Sequence, residues 1–244
     1  MKIFYFLLLL SIGFNNCYCQ TLSTRELAQL INKDEPAWPD VQKWIAEAKN
    51  KVDVLPRDSP RATQALYEAQ VTTRSPMGAI VYETGGIFID HGWIRILGSG
   101  CSRFDRSLMQ WNKGKSFKQK GEAPSFLLIA DDVLGGFYAV NAGGIDKNNM
   151  GKVYYFAPDN LQWEPMNFSY TDFLNFCFNG DLKKYYSDVR WKDWEKDVEP
   201  LNGNTGFSVF PFLWTKEGKD MTKNSRSPVP LQELWALYFD KGKK

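Results

Sequence analysis

The chain has 244 residues, and its 43% hydrophobic content is ample for one sizeable core. Its 30 basic and 28 acidic residues leave a formal net charge of +2, with the basic residues dispersed along the sequence. This balance excludes a chain built to bind nucleic acid. One histidine and four cysteines, two of them in the leader described next, also exclude a structural zinc site made from those ligands.

The amino terminus is typical of a secretory leader. Lys2 precedes a short apolar run that is too brief to span a bilayer. Cys17 and Cys19 stand three and one positions before Gln20, where signal peptidase requires small side chains. We therefore expect residues 1–19 to be a signal peptide and residues 20–244 to form one exported domain, periplasmic or secreted, with no membrane span after processing.

Three helices are predicted before residue 76. Ser23 and Glu26 form a capping-box pattern ahead of the first helix. Residues 38–48 carry apolar side chains at helical spacing, and Ser59 begins a third helix that stops before Ser75.

From residue 77 the pattern becomes extended. Short β-branched and aromatic runs separated by glycine-containing turns predict antiparallel strands. Asp90, His91 and Gly92 form one of those turns, and the sheet reaches about six strands, at residues 80–82, 87–89, 93–97, 125–130, 136–140 and 152–156.

A loop interrupts the predicted strands, and mainly helical patterns follow the last of them. Residues 98–124 form a partly packed loop with isolated apolar anchors. A helix is predicted at residues 169–179, where Ser169 and Asp172 form a capping box. Further helices are predicted from Asp181, around Trp191 and Trp194, and at 230–239, and an extended segment is predicted at 207–214. The predicted fold is α+β, an antiparallel sheet of about six strands flanked by N-terminal and C-terminal helices.

Polar residues near the predicted turns are the candidates for chemistry. His91 beside Asp90 could be a base with a carboxylate orienter, but no serine or cysteine is tied to it and a structural turn is favoured. Asp131 and Asp132 could pair as acid and base or bind a divalent cation, with Asp90 joining them, or could simply cap a chain reversal. No catalytic residue, metal site or cofactor is predicted.

Aromatic residues raise the possibility of sugar binding. Trp111 and Trp163 fall in predicted loops, where exposed indoles could stack on sugar rings or plug a loop onto its domain. With Arg95 of the predicted sheet, the candidate binding residues are Asp90, His91, Arg95, Asp131, Asp132, Trp111 and Trp163.

Two cysteines remain after the leader, Cys101 and Cys177. An exported location would permit a bridge between them. Cys177 lies in a helical apolar pattern, where a free cysteine behaves as a small hydrophobe, so the reduced pair is favoured.

One segment carries a specific resemblance. Residues 71–79, 84–86, 89–93 and 95–100, together with Ser107-Leu108, resemble the bacterial family catalogued as domain of unknown function 2625. The resemblance extends over most of residues 24–194 and implies no established activity. It leaves residues 195–244 as a C-terminal extension.

A fainter likeness covers residues 126–176. The order of Asp131, Gly135-Gly136 and Trp163 in that stretch is similar to the SUKH superfamily. The likeness implies an α+β domain that binds a protein partner, such as a toxin, without catalysis. We therefore expect a non-enzymatic protein-binding domain, and the likeness implies an immunity-like role. The alternative is a periplasmic hydrolase or glycan-binding protein that uses the sheet end near Asp90, His91 and Asp131.

Overall fold

The structure, a computed structural model, describes residues 24–119 and 121–239. The predicted signal peptide, the predicted cap Ser23 and the residues from 240 onward lie outside this described part of the chain. No helix within it has both the length and the apolar character needed to cross a membrane.

The elements alternate between helical and extended segments along the chain. The helices are α1 Leu27–Leu30, α2 Trp38–Ala46, α3 Ser59–Ala69, α4 Pro76–Glu83, α5 Leu108–Asn112, α6 Tyr170–Asn179, α7 Leu182–Tyr185, α8 Trp194–Val198 and α9 Leu231–Phe239. The strands are β1 Val52–Leu55, β2 Gly86–Ile89, β3 Ile94–Leu97, β4 Phe126–Asp132, β5 Phe137–Asn141, β6 Val153–Ala157, β7 Gln162–Phe168, β8 Thr205–Phe210 and β9 Ser225–Pro230.

The main sheet is an antiparallel meander of seven strands in the order β1 to β7. A separate hairpin pairs β8 with β9, where a single extended segment at residues 207–214 was predicted. The predicted α+β class is confirmed, with seven strands in place of about six. The helices predicted at residues 38–48, 59–74, 169–179 and 230–239 correspond to α2, α3, α6 and α9.

The strand predicted at residues 80–82 is wrong, because these residues belong to α4. The Ser75 side chain accepts a hydrogen bond from the Gly78 amide at 3.1 Å, which caps the helix. Gly78 lies so close to the preceding loop that a Cβ there would stand 2.0 Å from the Thr72 carbonyl oxygen. No residue of α4 is exposed: four of its eight residues are buried and the others are partly buried, so its apolar run has no polar side to reveal the helical period.

Besides β9, two strands of the main sheet were not predicted, and both lie at its edges. β1 has four residues and includes Asp53, and β7 includes Glu164 and Pro165. Short length, charge and proline are characteristic of edge strands and weaken the strand signal in the sequence. The stretch 98–124 likewise contains α5, which at five residues is too short to show a period.

One residue from each strand of the main sheet forms a row across one face. The register places these residues directly opposite one another in the order Asp53, Phe88, Arg95, Asp131, Phe137, Phe156 and Trp163. The row is polar toward β1 and aromatic toward β7. The chain after α8 covers it, with Trp235 of α9 packing on Phe137 at a ring-centroid distance of 5.0 Å.

The opposite face of the sheet packs against α6. The ring of Phe173 lies 4.9 Å from that of Tyr138 on β5. Because successive strand residues point to opposite faces, Asp132 belongs to this side although Asp131 belongs to the row. The two aspartates therefore cannot act on one substrate group as a pair.

Candidate functional site

A buried ion network lies in the middle of the row. Asp131 is fully buried and accepts hydrogen bonds from Arg95 Nε at 2.7 Å and from Arg106 Nη1 at 2.7 Å. Both arginines are nearly buried as well, and burial lowers the pKa of Arg106. Two guanidinium groups thus share one carboxylate, which leaves an excess of positive charge beneath the surface.

The same arginines hold the chain that covers the row. Arg95 donates to the carbonyl oxygens of Asp132 and Thr205, and Arg106 donates to that of Gly203 at 2.7 Å. A buried charge is tolerated only when its hydrogen-bonding groups are satisfied, so these carbonyls are part of what stabilises the network. The segment at residues 203–205 is fastened to the sheet in this way.

A cleft opens between the β1 end of the row and the chain after α8. Its volume is about 100 Å³, and Arg95 contributes to its wall. The other lining residues are Lys51, Asp53, Phe88, His91, Gly92, Arg103, Val198, Glu199, Leu201 and Asn202. We call this site the His91 cleft.

The turn that carries His91 is held in place by its neighbour. Asp90 and His91 have positive φ angles of 51° and 62°, which the tight turn between β2 and β3 requires. The Asp90 carboxylate pairs with Arg190, which packs against the rings of Trp93 and Trp194. The prediction that Asp90 and His91 form a turn is therefore matched by the fold, and their side chains have different partners.

Charged groups surround the His91 ring at the mouth of the cleft. Its Nδ1 lies 3.3 Å from Lys51 Nζ and 3.6 Å from Glu199 Oε1, and Lys51 and Glu199 pair at 2.7 Å. The Lys51 ammonium lowers the pKa of Glu199. On the other side of the cleft Arg103 pairs with Asp53 at 2.9 Å.

The hydrolase alternative requires Asp90, His91 and Asp131 to converge, and of these only His91 lines the cleft. The three side chains therefore do not converge there. Within the described residues, no group of three or more histidine, cysteine, aspartate or glutamate side chains is placed to hold a metal ion.

Asp132 has a network of its own on the opposite face. Its Oδ1 accepts from the amides of Leu134 and Gly136, both at 2.9 Å, and its Oδ2 accepts from Tyr155 Oη at 2.7 Å and Tyr186 Oη at 3.3 Å. Burial raises the pKa of Asp132. The expected capping of a chain reversal is present, but the carboxyl group is enclosed and has no access to a ligand.

The two candidate tryptophans pack against the domain. Trp111 is 5% exposed in α5 and lies under the Arg106 guanidinium, and Trp163 is half-buried in β7 against Phe126 and Phe156. They were predicted in loops, which is wrong for both. Both rings take part in aromatic or cation–π packing within the domain.

Both cysteines of the described chain are free and buried. Cys101 follows β3, and Cys177 lies inside α6. Burial raises the pKa of Cys177 well above the usual range of a thiol, which makes it inert.

Several residues of the cleft gave no signal in the sequence. Lys51, Asp53 and Arg103 meet only because β1 lies beside β2 and the loop after β3 folds back over it. Glu199 comes from the predicted extension. Asp53 could have been placed in the row only if β1 had been predicted as a strand, because its residues alternate between the two faces of the sheet.

Comparisons with known proteins place the chain among uncharacterised relatives. The family described as "Protein of unknown function DUF2625" matches residues 27–234. An "Uncharacterized protein" of Haemophilus influenzae is 46% identical over 187 residues, covering 77% of this chain and 82% of that protein. The "Putative uncharacterized protein YbfG" of Escherichia coli K12 is 41% identical over 215 residues, which cover 88% of this chain and 96% of that protein.

No solved structure gives a significant match. The fainter SUKH likeness receives no support from these matches. The family match continues well past residue 194, so most of the segment predicted to be an extension lies within the family's range. This agrees with the fastening of residues 203–205 to the buried arginines.

Proposed function

The chain belongs to the family described as protein of unknown function DUF2625, and from that premise we propose that it is an exported, non-enzymatic protein that binds an acidic segment of a partner protein in the His91 cleft. The description of the family and the names of the relatives state no activity. The proposal therefore stands on the charges of the cleft and on the leader that the sequence predicts.

The observation that carries the proposal is the excess positive charge beneath the cleft. Arg95 and Arg106 share the single carboxylate of Asp131, and Arg95 lines the cleft. Three hydrogen bonds from Arg95 to protein atoms are present, out of the five N–H groups that a guanidinium carries. An entering carboxylate would meet this charge where little water competes with it.

The size of the cleft favours a side-chain end over a metabolite. Pockets that hold small-molecule ligands usually measure roughly 300–1,000 Å³, and the His91 cleft measures about 100 Å³. A single carboxylate-bearing side chain or a chain terminus fits such a volume. A toxin bound by an immunity-like protein is one partner of this kind.

The edge of the sheet beside the cleft supports an extended partner. The carbonyl oxygens of Lys51 and Leu55 accept hydrogen bonds from the chain on the β2 side. Because backbone groups alternate in direction along a strand, those of Val52 and Val54 face away from β2. A partner segment could pair with this edge and place an acidic side chain in the cleft.

Cross-linking in cells tests the proposal. A photo-reactive side chain at Ser102, an exposed residue beside Arg103, should capture a discrete partner, and mass spectrometry should place the adduct within an acidic segment. The same group at Asn148, an exposed residue of the β5–β6 loop, is the control. Arg103→Glu should reduce the adduct by about tenfold, because it reverses a charge at the mouth.

A matched variant separates the cleft from general charge effects. Arg74 forms an exposed ion pair with Glu35 at 2.6 Å and neither residue lines the cleft, so Arg74→Glu should leave the adduct unchanged. Equal capture from Ser102 and Asn148, no capture at all, or an adduct lacking acidic residues would overturn the proposal. The export half is tested separately by N-terminal sequencing of the processed protein, which should begin at Gln20.

A further inference from the structure

A strip of aromatic side chains lies at the tip of the β8–β9 hairpin. Phe210 is 64% exposed and lies 6.0 Å from Phe212, which stacks on Trp214 at 4.4 Å. Trp214 in turn meets Tyr238 of α9 at 5.8 Å. The strip is continuous from the hairpin to the last helix, and it ends in the most exposed aromatic ring among the described residues.

The loop that follows Phe210 is held rigid by its own hydrogen bonds. Thr215 Oγ1 donates to the Phe212 carbonyl and accepts from the Gly218 amide at 3.0 Å. Asn224 Nδ2 donates to the Gly218 carbonyl at 2.6 Å, which closes the loop. Phe210 is therefore displayed by an ordered support, and little conformational freedom is lost when it is buried against a partner.

Basic residues accompany the aromatic strip. Lys216 and Lys219 are exposed and form no ion pair with another described residue, whereas Lys223 pairs with Asp220. Glu217 is the other acidic residue of the loop. The loop therefore displays two lysines, unpaired within the described chain, beside the aromatic strip.

We infer that the loop between β8 and β9 docks the protein on an anionic phospholipid surface. Phenylalanine and tryptophan rings partition into the boundary between head groups and acyl chains, and lysines bind the negative surface around them. On such a surface the aromatic rings of the strip would enter the boundary region, and the lysines of the loop would bind the negative head groups. An exported protein would meet one at the membrane facing its compartment.

Vesicle sedimentation tests the inference with the processed protein. It should bind vesicles of phosphatidylethanolamine and phosphatidylglycerol and should not bind phosphatidylcholine alone. Phe210→Ser should weaken binding by about tenfold, because one phenyl ring is no longer buried. Lys216→Glu with Lys219→Glu should weaken binding most at low salt, because the loop then repels the anionic surface and salt screens that repulsion.

The β5–β6 loop supplies matched controls. Met150 is 67% exposed and Lys147 is exposed, so Met150→Ser and Lys147→Glu change the same properties elsewhere and should leave binding intact. Absence of binding to the anionic vesicles would overturn the inference. So would an equal loss with Met150→Ser, or sedimentation showing that Phe210 mediates self-association without lipid. Because no cleft residue is altered, failure here would leave the cleft proposal standing.

Discussion

Asp131 and Asp132 are neighbours on β4, yet their side chains have entirely different partners. Asp131 faces two guanidinium groups and helps to fasten the C-terminal chain, whereas Asp132 faces backbone amides and tyrosine hydroxyls on the other side of the sheet. Both are fully buried. Because successive residues of a strand face opposite sides of the sheet, one dipeptide supplies a carboxylate paired with arginines and a carboxyl group held by amides and tyrosine hydroxyls.

The largest loss of stability is expected when the ion network around Asp131 is broken. Asp131→Asn leaves Arg95 and Arg106 buried without a carboxylate, which should lower the free energy of unfolding by about 3–5 kcal/mol. Denaturant unfolding measures this loss. If the network only fills space, the loss would stay below about 1 kcal/mol, and the contrast between the two aspartates would disappear.

The network around Asp132 should lose less stability when one of its hydrogen-bond donors is removed. Tyr155→Phe removes the 2.7 Å hydrogen bond to Asp132 but leaves the amides of Leu134 and Gly136 in place. We expect the free energy of unfolding to fall by about 1–3 kcal/mol, the cost of one missing bond to a buried acceptor. Tyr154→Phe is the control, because the Tyr154 hydroxyl donates to Asp146, which is not part of the Asp132 network. A fall equal to that of Asp131→Asn would remove the distinction.

The pH dependence separates the two sites further. Burial raises the pKa of Asp132, so the folded state holds that proton at a pH where the unfolded state has lost it. The contribution of Asp132 to stability must therefore fall as the pH rises from the ordinary pKa of an aspartate to the higher pKa that Asp132 has in the folded state. Asp132→Asn should abolish this fall, and its stability relative to the wild type should increase over the same range. A difference that does not change with pH would contradict the assignment.

How much of this the sequence could predict depends on how local the cause is. The capping box of Ser169 and Asp172 is made within one turn, and α6 begins where that pattern predicts. The Asp90–His91 turn is equally local. The surroundings of Arg95 and Arg106 depend on the chain after α8 returning over the row. Their bonds to Thr205 and Gly203 join residues about a hundred positions apart, which no short sequence pattern contains.

The smallest effect on stability should come from the mouth of the His91 cleft, at the polar end of the same row. Lys51 and Glu199 are 51% and 60% exposed, so their ion pair is screened by water and holding it fixed costs side-chain entropy. Lys51→Met should therefore leave the denaturant midpoint unchanged, as Arg74→Met should at the exposed pair with Glu35. Of the two variants, only Lys51→Met should reduce capture of a partner through Ser102. A lowered midpoint with unchanged capture would make the cleft part of the stabilising network and remove it as a binding site.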